Sequence, residues 1–263
     1  MAIINWKNVR KTVFSKSVYR GAASIATIIA LWELGRRSRM PILGAVPAPT
    51  EVIALLGDVI FEAKFWENWM VSFKRVLTGF IAAQIVGIPL ALAMAINRVA
   101  RDAIFPALEI MRPIPPLAWV PTAIIFWPTT ESSIAFVIFL GAFFTVVLNV
   151  LGGARDIDVR YLRAARSLGS RPQDIFFRIV LPATLPSIFT GMAVGMGITW
   201  EVVVAAEMIA GKSGLGYLTW SSFVGGNYPL IVIGMISIGI AGYVSSSLIR
   251  LAGKLATPWQ RPF

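Results

Sequence analysis

Three ionisable residues stand inside or at the edge of long apolar stretches of this chain, Arg112, Glu201 and Glu207. The chemistry they offer is pairing and holding charge rather than breaking bonds. The sequence has no histidine and no cysteine, which removes imidazole bases, thiolate nucleophiles, disulfides and nearly every zinc site. With so few buried acids, no nucleophile and general base meet at sensible spacing, so no catalytic residue, metal or bound cofactor is expected in this chain. Gly211-Lys212-Ser213 imitates the end of a phosphate-binding loop. The earlier glycine such a loop needs is replaced by Ala206, and no strand precedes the segment, so nucleotide binding there is rejected.

Arg112 precedes a proline cluster, Pro113, Pro115 and Pro116. A charge at membrane depth costs at least about 2.5–3.5 kcal/mol on insertion scales, so it must be paired or face water. Prolines break the helix and free backbone groups, which are tolerated where they line a cavity. A cation beside a broken helix suits an anionic solute; the plainer reading is that Arg112 snorkels to the headgroups. Glu201 and Glu207 either form structural ion pairs, Arg112 being the partner considered for Glu201, or shape a pathway or gate. Trp119 and Trp200 either narrow such a pathway or pack as membrane tryptophans commonly do.

The elements that must position these groups follow from composition. Of 263 residues, 57% are hydrophobic and only 14% charged, and the mean hydropathy is +0.74. These values define an integral membrane protein rather than a soluble domain. A hydrocarbon core about 30 Å thick takes about 20 residues per helix. Six spans are expected, over 18–34, 71–96, 103–127, 133–152, 185–209 and 229–251. Residues 1–17 form an N-terminal segment, 252–263 a tail, and 153–184 a charged insert within the 18–251 span domain. The net charge of +11 reflects basic residues gathered on one side of the bilayer, as the positive-inside rule requires, and not nucleic-acid binding. Lys7, Arg10, Lys11, Lys16 and Arg20, the insert, and Arg250, Lys254 and Arg261 are then cytosolic, as are both termini. Pro49 and Thr50 precede Val52, Leu55, Leu56, Val59 and Ile60, whose spacing predicts an amphipathic helix over 50–69 on the outer surface, with Trp66 and Trp69 as interfacial aromatics.

The insert contains Arg163 to Pro182, RAARSLGSRPQDIFFRIVLP. Tyr161 to Leu168 reads as a short helix that Gly169 ends, since glycine accepts the left-handed C-terminal conformation. A second helix then starts, with Ser170 and Gln173 at capping-box spacing and Pro172 in the first turn. Pro182 and Pro186 are expected to redirect the chain into the next span. A rigid helix, turn and helix with apolar residues rimmed by arginines is what a membrane subunit needs if a separate motor pushes on it. An ordinary surface loop would have the same composition.

Arg163-Ala164-Ala165, then Gly169, then Ile179-Val180-Leu181-Pro182 closely resembles the EAA loop of permease subunits of binding-protein-dependent ABC importers. Arg112 to Pro121, Ala205-Ala206-Glu207-Met208 and Gly214-Leu215-Gly216-Tyr217 extend the likeness to the nitrate, sulfonate, taurine and bicarbonate branch, and Thr257-Pro258-Trp259 looks most like the taurine type. The first loop position, usually Glu in the family, is Arg163 here.

The resemblance implies an all-α, six-helix type I permease bundle in the bacterial cytoplasmic membrane. It implies a second permease copy as partner, two cytosolic ATPase subunits that bind ATP and Mg and dock on the loop, and an external solute-binding protein. Residues Arg163, Ala164, Ala165, Gly169, Ile179, Leu181 and Pro182 would couple to the ATPase. Arg112, Pro115, Trp119, Glu201 and Glu207 are candidates for the solute path. An ion-coupled secondary carrier without an ATPase is the competing class; such carriers show paired repeats and midplane acids, for which only Glu201 qualifies.

Overall fold

The computed structural model describes residues 16–38 and 46–259, and every regular element among them is helical. The segment expected over 1–17 and the end of the tail expected over 252–263 lie largely outside the described residues. The helices are α1 (Lys16–Arg37), α2 (Pro49–Val59), α3 (Ala63–Ile96), α4 (Arg98–Met111), α5 (Val120–Phe126), α6 (Thr130–Arg155), α7 (Val159–Ser167), α8 (Pro172–Ile175), α9 (Leu181–Ala210), α10 (Leu215–Val224) and α11 (Tyr228–Ala256).

Two compact units divide the chain, one of Met1–Glu62 with Ser222–Ile233, the other of Ala63–Ser221 with Gly234–Phe263. In the first, Glu33 on α1 accepts hydrogen bonds from the Arg37 guanidinium at 2.7 Å and from the Thr50 hydroxyl at 3.2 Å. Its carboxylate also meets the Thr50 N–H at the start of α2, where the helix dipole favours negative charge. Glu51 reaches back to the Ala48 N–H at 3.1 Å, satisfying another donor that the helix start leaves free.

In the second unit α6 is the central helix, packed between α3 and α9. Val137, Ile138, Ala142, Val146 and Val150 are buried on it, against Val76, Ala83 and Met94 of α3 and Met196, Trp200 and Val203 of α9. Apolar residues all round a helix mark one enclosed by its neighbours. Lipid is as apolar as leucine, so helix association depends on close packing through small residues. A Cβ added to Gly191 of α9 would come within 2.8 Å of Asn149 on α6.

Among the described residues, four helical stretches are long and apolar enough to cross a membrane: Ala63–Ile96, Thr130–Arg155, Pro172–Ala210 and Tyr228–Ala256. The all-α fold class read from the sequence stands, with three local differences. The helix expected over 50–69 is two helices: α2 ends at Val59 and Ala63 opens the 34-residue α3, to which Trp66 and Trp69 belong. The span expected over 103–127 is not one continuous helix, and its break falls at the proline cluster, where the sequence reading expects a broken helix. α4 ends at Met111, a 3-10 turn runs over Pro116–Trp119, and α5 follows, because prolines at 113, 115 and 116 supply no N–H and disfavour helix in the residue before them.

The third difference is that the helix continues through Pro182 and Pro186. α8 passes through a π-helical turn, Phe176–Val180, straight into α9. The Leu181 N–H bonds to the Phe176 carbonyl, five residues back. That wider turn brings Pro182 into the first turn of α9, where a missing N–H costs little.

Candidate functional site

Two constellations hold the groups singled out by sequence. The first is a groove of about 550 Å³ on the insert, lined by Tyr161, Ala164, Ala165, Leu168, Arg178, Ile179, Pro182 and Trp259 among others. α7 begins at Asp158, whose carboxylate accepts the Arg160 N–H at 2.8 Å and meets the Arg160 guanidinium at 2.7 Å. Those two contacts hold the Asp158 carboxyl below the usual carboxylate range, the guanidinium contributing most. Gly169 ends the helix with φ +77°, as expected, and the Ser170 N–H returns to the Ala165 carbonyl at 3.0 Å. Ser170 is not the cap of the second helix. Arg171 holds that position without a side-chain bond.

Of the seven residues that the family resemblance marks for coupling, Ala164, Ala165, Ile179 and Pro182 converge on the groove from α7, the π turn and the start of α9. Arg163 is exposed on α7, Gly169 makes the turn, and Leu181 is half-buried, packed against the main core. The arginines of the insert, Arg155, Arg160, Arg163, Arg166, Arg171 and Arg178, are exposed. Of the three acids of the insert, Asp158 is engaged by Arg160 and Asp174 by Arg178 at 3.7 Å, and Asp156 stands at the C-cap of α6.

The second constellation is a charge cluster that sequence reading missed in its central member, Arg75. α3 presents Asn68, Ser72 and Arg75 at spacings of four and three, one helical face. The guanidinium of Arg75 donates to Glu207 at 3.0 Å and to the Ser213 carbonyl at 2.6 Å. It also donates through Nε to Glu131 at 2.8 Å and through a second nitrogen to the other Glu131 oxygen. Glu207, near the end of α9, is 0% exposed. It also takes the Ser72 hydroxyl at 2.8 Å and the Gly216 N–H at 2.9 Å.

This cluster caps α10 from outside its own chain segment. The first N–H groups of a helix lack internal partners. Here Asn68 accepts from Gly214 at 2.8 Å, Ser72 from Leu215 at 2.8 Å, and Glu207 from Gly216. Gly214 has φ +112°, and a Cβ there would strike the Glu207 carboxylate. The N–H groups that a phosphate-binding loop would leave free are therefore consumed at 214–216.

The remaining path candidates lie apart from this cluster. Arg112 caps the end of α4, half-exposed, and pairs with Glu109 at 3.3 Å. The pairing with Glu201 considered from sequence is not made, because a carboxylate one turn back on the same helix is nearer to hand. Pro115 is exposed at the start of the 3-10 turn. Trp119 is half-buried against the core, and its indole N–H finds no hydrogen-bond partner among the described residues. Glu201 lies exposed on α9, on a face shared with Thr190, Val194 and Gly197. Trp200 is buried, and its N–H donates to Ser245 at 3.0 Å, a packing role. A larger cavity of about 920 Å³ lies between α3 and α6, with Lys74, Arg75, Thr78, Trp127, Glu131 and Phe139 on its walls. It includes none of the path candidates.

Long apolar helices packed around one central helix, with an inserted helix pair that forms an open groove, define a polytopic membrane protein. The chain belongs to the family of binding-protein-dependent transport system inner membrane components, whose model matches residues 85–262. It is 38% identical over 261 residues to a putative ABC transporter permease protein of Methanocaldococcus jannaschii, covering 97% of each chain. It is 32% identical over 265 residues to the nitrate import permease protein NrtB of Synechocystis sp., covering 96% of this chain and 94% of the relative. It is 28% identical to the taurine transport system permease protein TauC of Escherichia coli, covering 93% and 91%. Its fold is similar to a chain in an inward-facing structure of the MetNI methionine ABC transporter, with TM-score 0.57, 20% identity, and 74% of this chain and 94% of that one covered. These relatives agree with the branch that the sequence motifs resemble, and the chain is an inner-membrane permease of the ABC importer type.

Proposed function

We propose that this chain is the permease subunit of an importer that moves a small anionic solute into the cytoplasm, driven by ATP hydrolysis in two separate ATPase subunits that dock on the insert. The observation that carries the coupling half is the convergence of Ala164, Ala165, Ile179 and Pro182, from three chain segments, on one open groove. An exposed arginine rim suits an acidic partner surface. Arg163, standing where relatives usually carry Glu, contributes a cation to that rim. In this reading ATP and Mg belong to the partner, a second copy completes the path, and an external binding protein delivers the solute. The chain crosses the membrane six times with both termini cytosolic and catalyses no reaction itself.

For the solute, nitrate and taurine in the names of similar permeases favour an oxyanion or sulfonate. Arg112, Pro115, Trp119 and Glu201 line the path, consistent with the half-exposed Arg112 guanidinium, the unpaired Trp119 N–H and the exposed Glu201 carboxylate in the body of a span-length helix. A charge in such a helix should face water or a partner. Glu207, enclosed by its own cluster, holds the end of α9 instead. The test is uptake in vesicles with the ATPase and binding protein present. Dependence on ATP supports the reading, whereas uptake that survives ATP depletion and stops when the ion gradient collapses would replace it with the secondary-carrier class.

A further inference from the structure

We infer that Trp259, at the C-terminal end of the described chain, is a wall of the coupling groove and an anchor for the docking ATPase; this rests on the docking reading above. Thr257-Pro258-Trp259 has no part in the helix bundle's core, yet the structure holds it in a defined position. The Thr257 N–H and hydroxyl both return to the Gly253 carbonyl, at 2.9 Å and 2.8 Å, so the buried Thr257 closes the last turn of α11. Pro258 cannot continue the helix. Trp259 follows, and its side chain lines the same groove as Ala164, Ala165, Ile179 and Pro182.

The occupant is argued from charge and exposure. Trp259 keeps 57% of its surface exposed, beside Tyr161 and Leu168, which are exposed as well. Six arginines stand in the insert against three acids, two of which are already paired. An apolar floor with a positive rim fits a soluble protein that offers short apolar side chains bordered by carboxylates. Tryptophan is the residue type most often found to anchor such contacts, because its large rigid surface loses little entropy on binding. The competing occupant, the headgroup layer of the membrane, would explain the tryptophan but not its position against the alanines of α7.

The test uses the full-length chain in detergent and the nucleotide-binding subunit that copurifies with it, identified by mass spectrometry and then purified separately. Affinity is measured for wild type, Trp259→Ala, Trp259→Phe and Ala164→Arg, with thermal melting of each permease as the folding check. Trp259→Ala should weaken binding about tenfold or more without moving the melting temperature, and Trp259→Phe should stay within about threefold of wild type. Binding should weaken as salt rises, as an acidic partner requires. Trp259→Ala binding as wild type while Ala164→Arg abolishes binding would overturn the role of Trp259 and leave the docking reading standing. Loss of melting temperature or vesicle retention in Trp259→Ala with unchanged affinity would assign the residue to the membrane and overturn the proposal. Full binding by Ala164→Arg would remove the docking reading and the proposal together.

Discussion

Replacing Arg75 with methionine should be the most damaging single charge deletion in this protein. The guanidinium is 5% exposed and serves Glu207 at 3.0 Å, Glu131 through two nitrogens and the Ser213 carbonyl at 2.6 Å. Without it, Glu207 keeps only the Ser72 hydroxyl and the Gly216 N–H. Removing one partner of a buried pair costs about 3–5 kcal/mol, because the other charge stays buried. At about 2–4 °C per kcal/mol for chains of this size, the melting temperature should fall by about 6–20 °C. The Glu131 arm provides the internal control. Its side chain is 65% exposed, so Glu131→Gln should cost about 0–1 kcal/mol. The double variant Arg75→Met/Glu207→Gln should recover part of the loss, since neutralising both members leaves no orphan charge. Thermal unfolding in micelles, followed by the fluorescence of the nine tryptophans, reads all of these. An Arg75→Met melt within about 2 °C of wild type, or a Glu131→Gln loss as large as that of Arg75→Met, would refute the reasoning.

Gly214→Ala should prevent stable assembly, because φ +112° and the Glu207 carboxylate both oppose a side chain there; the yield of monodisperse protein on a sizing column checks it, and a wild-type yield contradicts it. Arg112→Ala should slow anion uptake about tenfold, the worth of a charged hydrogen bond, with ATPase binding unchanged; unaltered uptake would leave Arg112 its Glu109 pair alone. Asp158 contributes to the α7 cap fully above its unfolded value of about 3.9, and its depressed carboxyl loses that contribution only as pH falls through the lower folded value. Docking should therefore show no Asp158-dependent step between pH 5 and pH 8, which wild-type and Asp158→Asn affinities across that range would reveal.

The helix pair of the insert was legible because its parts are local. Gly169 must adopt a left-handed turn, and the residues on either side of it keep a short, fixed spacing. The charge cluster was not legible, because Arg75 meets Glu131 at a separation of 56 residues and Glu207 at 132. The available signal was a cation close to the start of an apolar run. Glu207 reads from sequence either as a structural ion-pair partner or as part of a pathway or gate, and the structure pairs it with Arg75. Hydropathy opens the second span at residue 71, whereas α3 starts at Ala63: Lys64 and Glu67 end an apolar run without ending a helix. Pro182 and Pro186 read as a bend since the sequence gives no sign of the π turn that lets the helix continue.

The central claim is that force from ATP hydrolysis enters through the groove between α7 and the start of α9. Its most direct test is ATP-driven uptake of radiolabelled nitrate or taurine into vesicles that contain this chain, its ATPase and its binding protein, with wild type compared with Ala164→Arg. Ala164 is exposed on α7, and arginine is a good helix former, so the fold should be kept while the groove is blocked. Uptake should then fall to background with the permease still folded and inserted. Full ATP-driven uptake by Ala164→Arg would contradict the account.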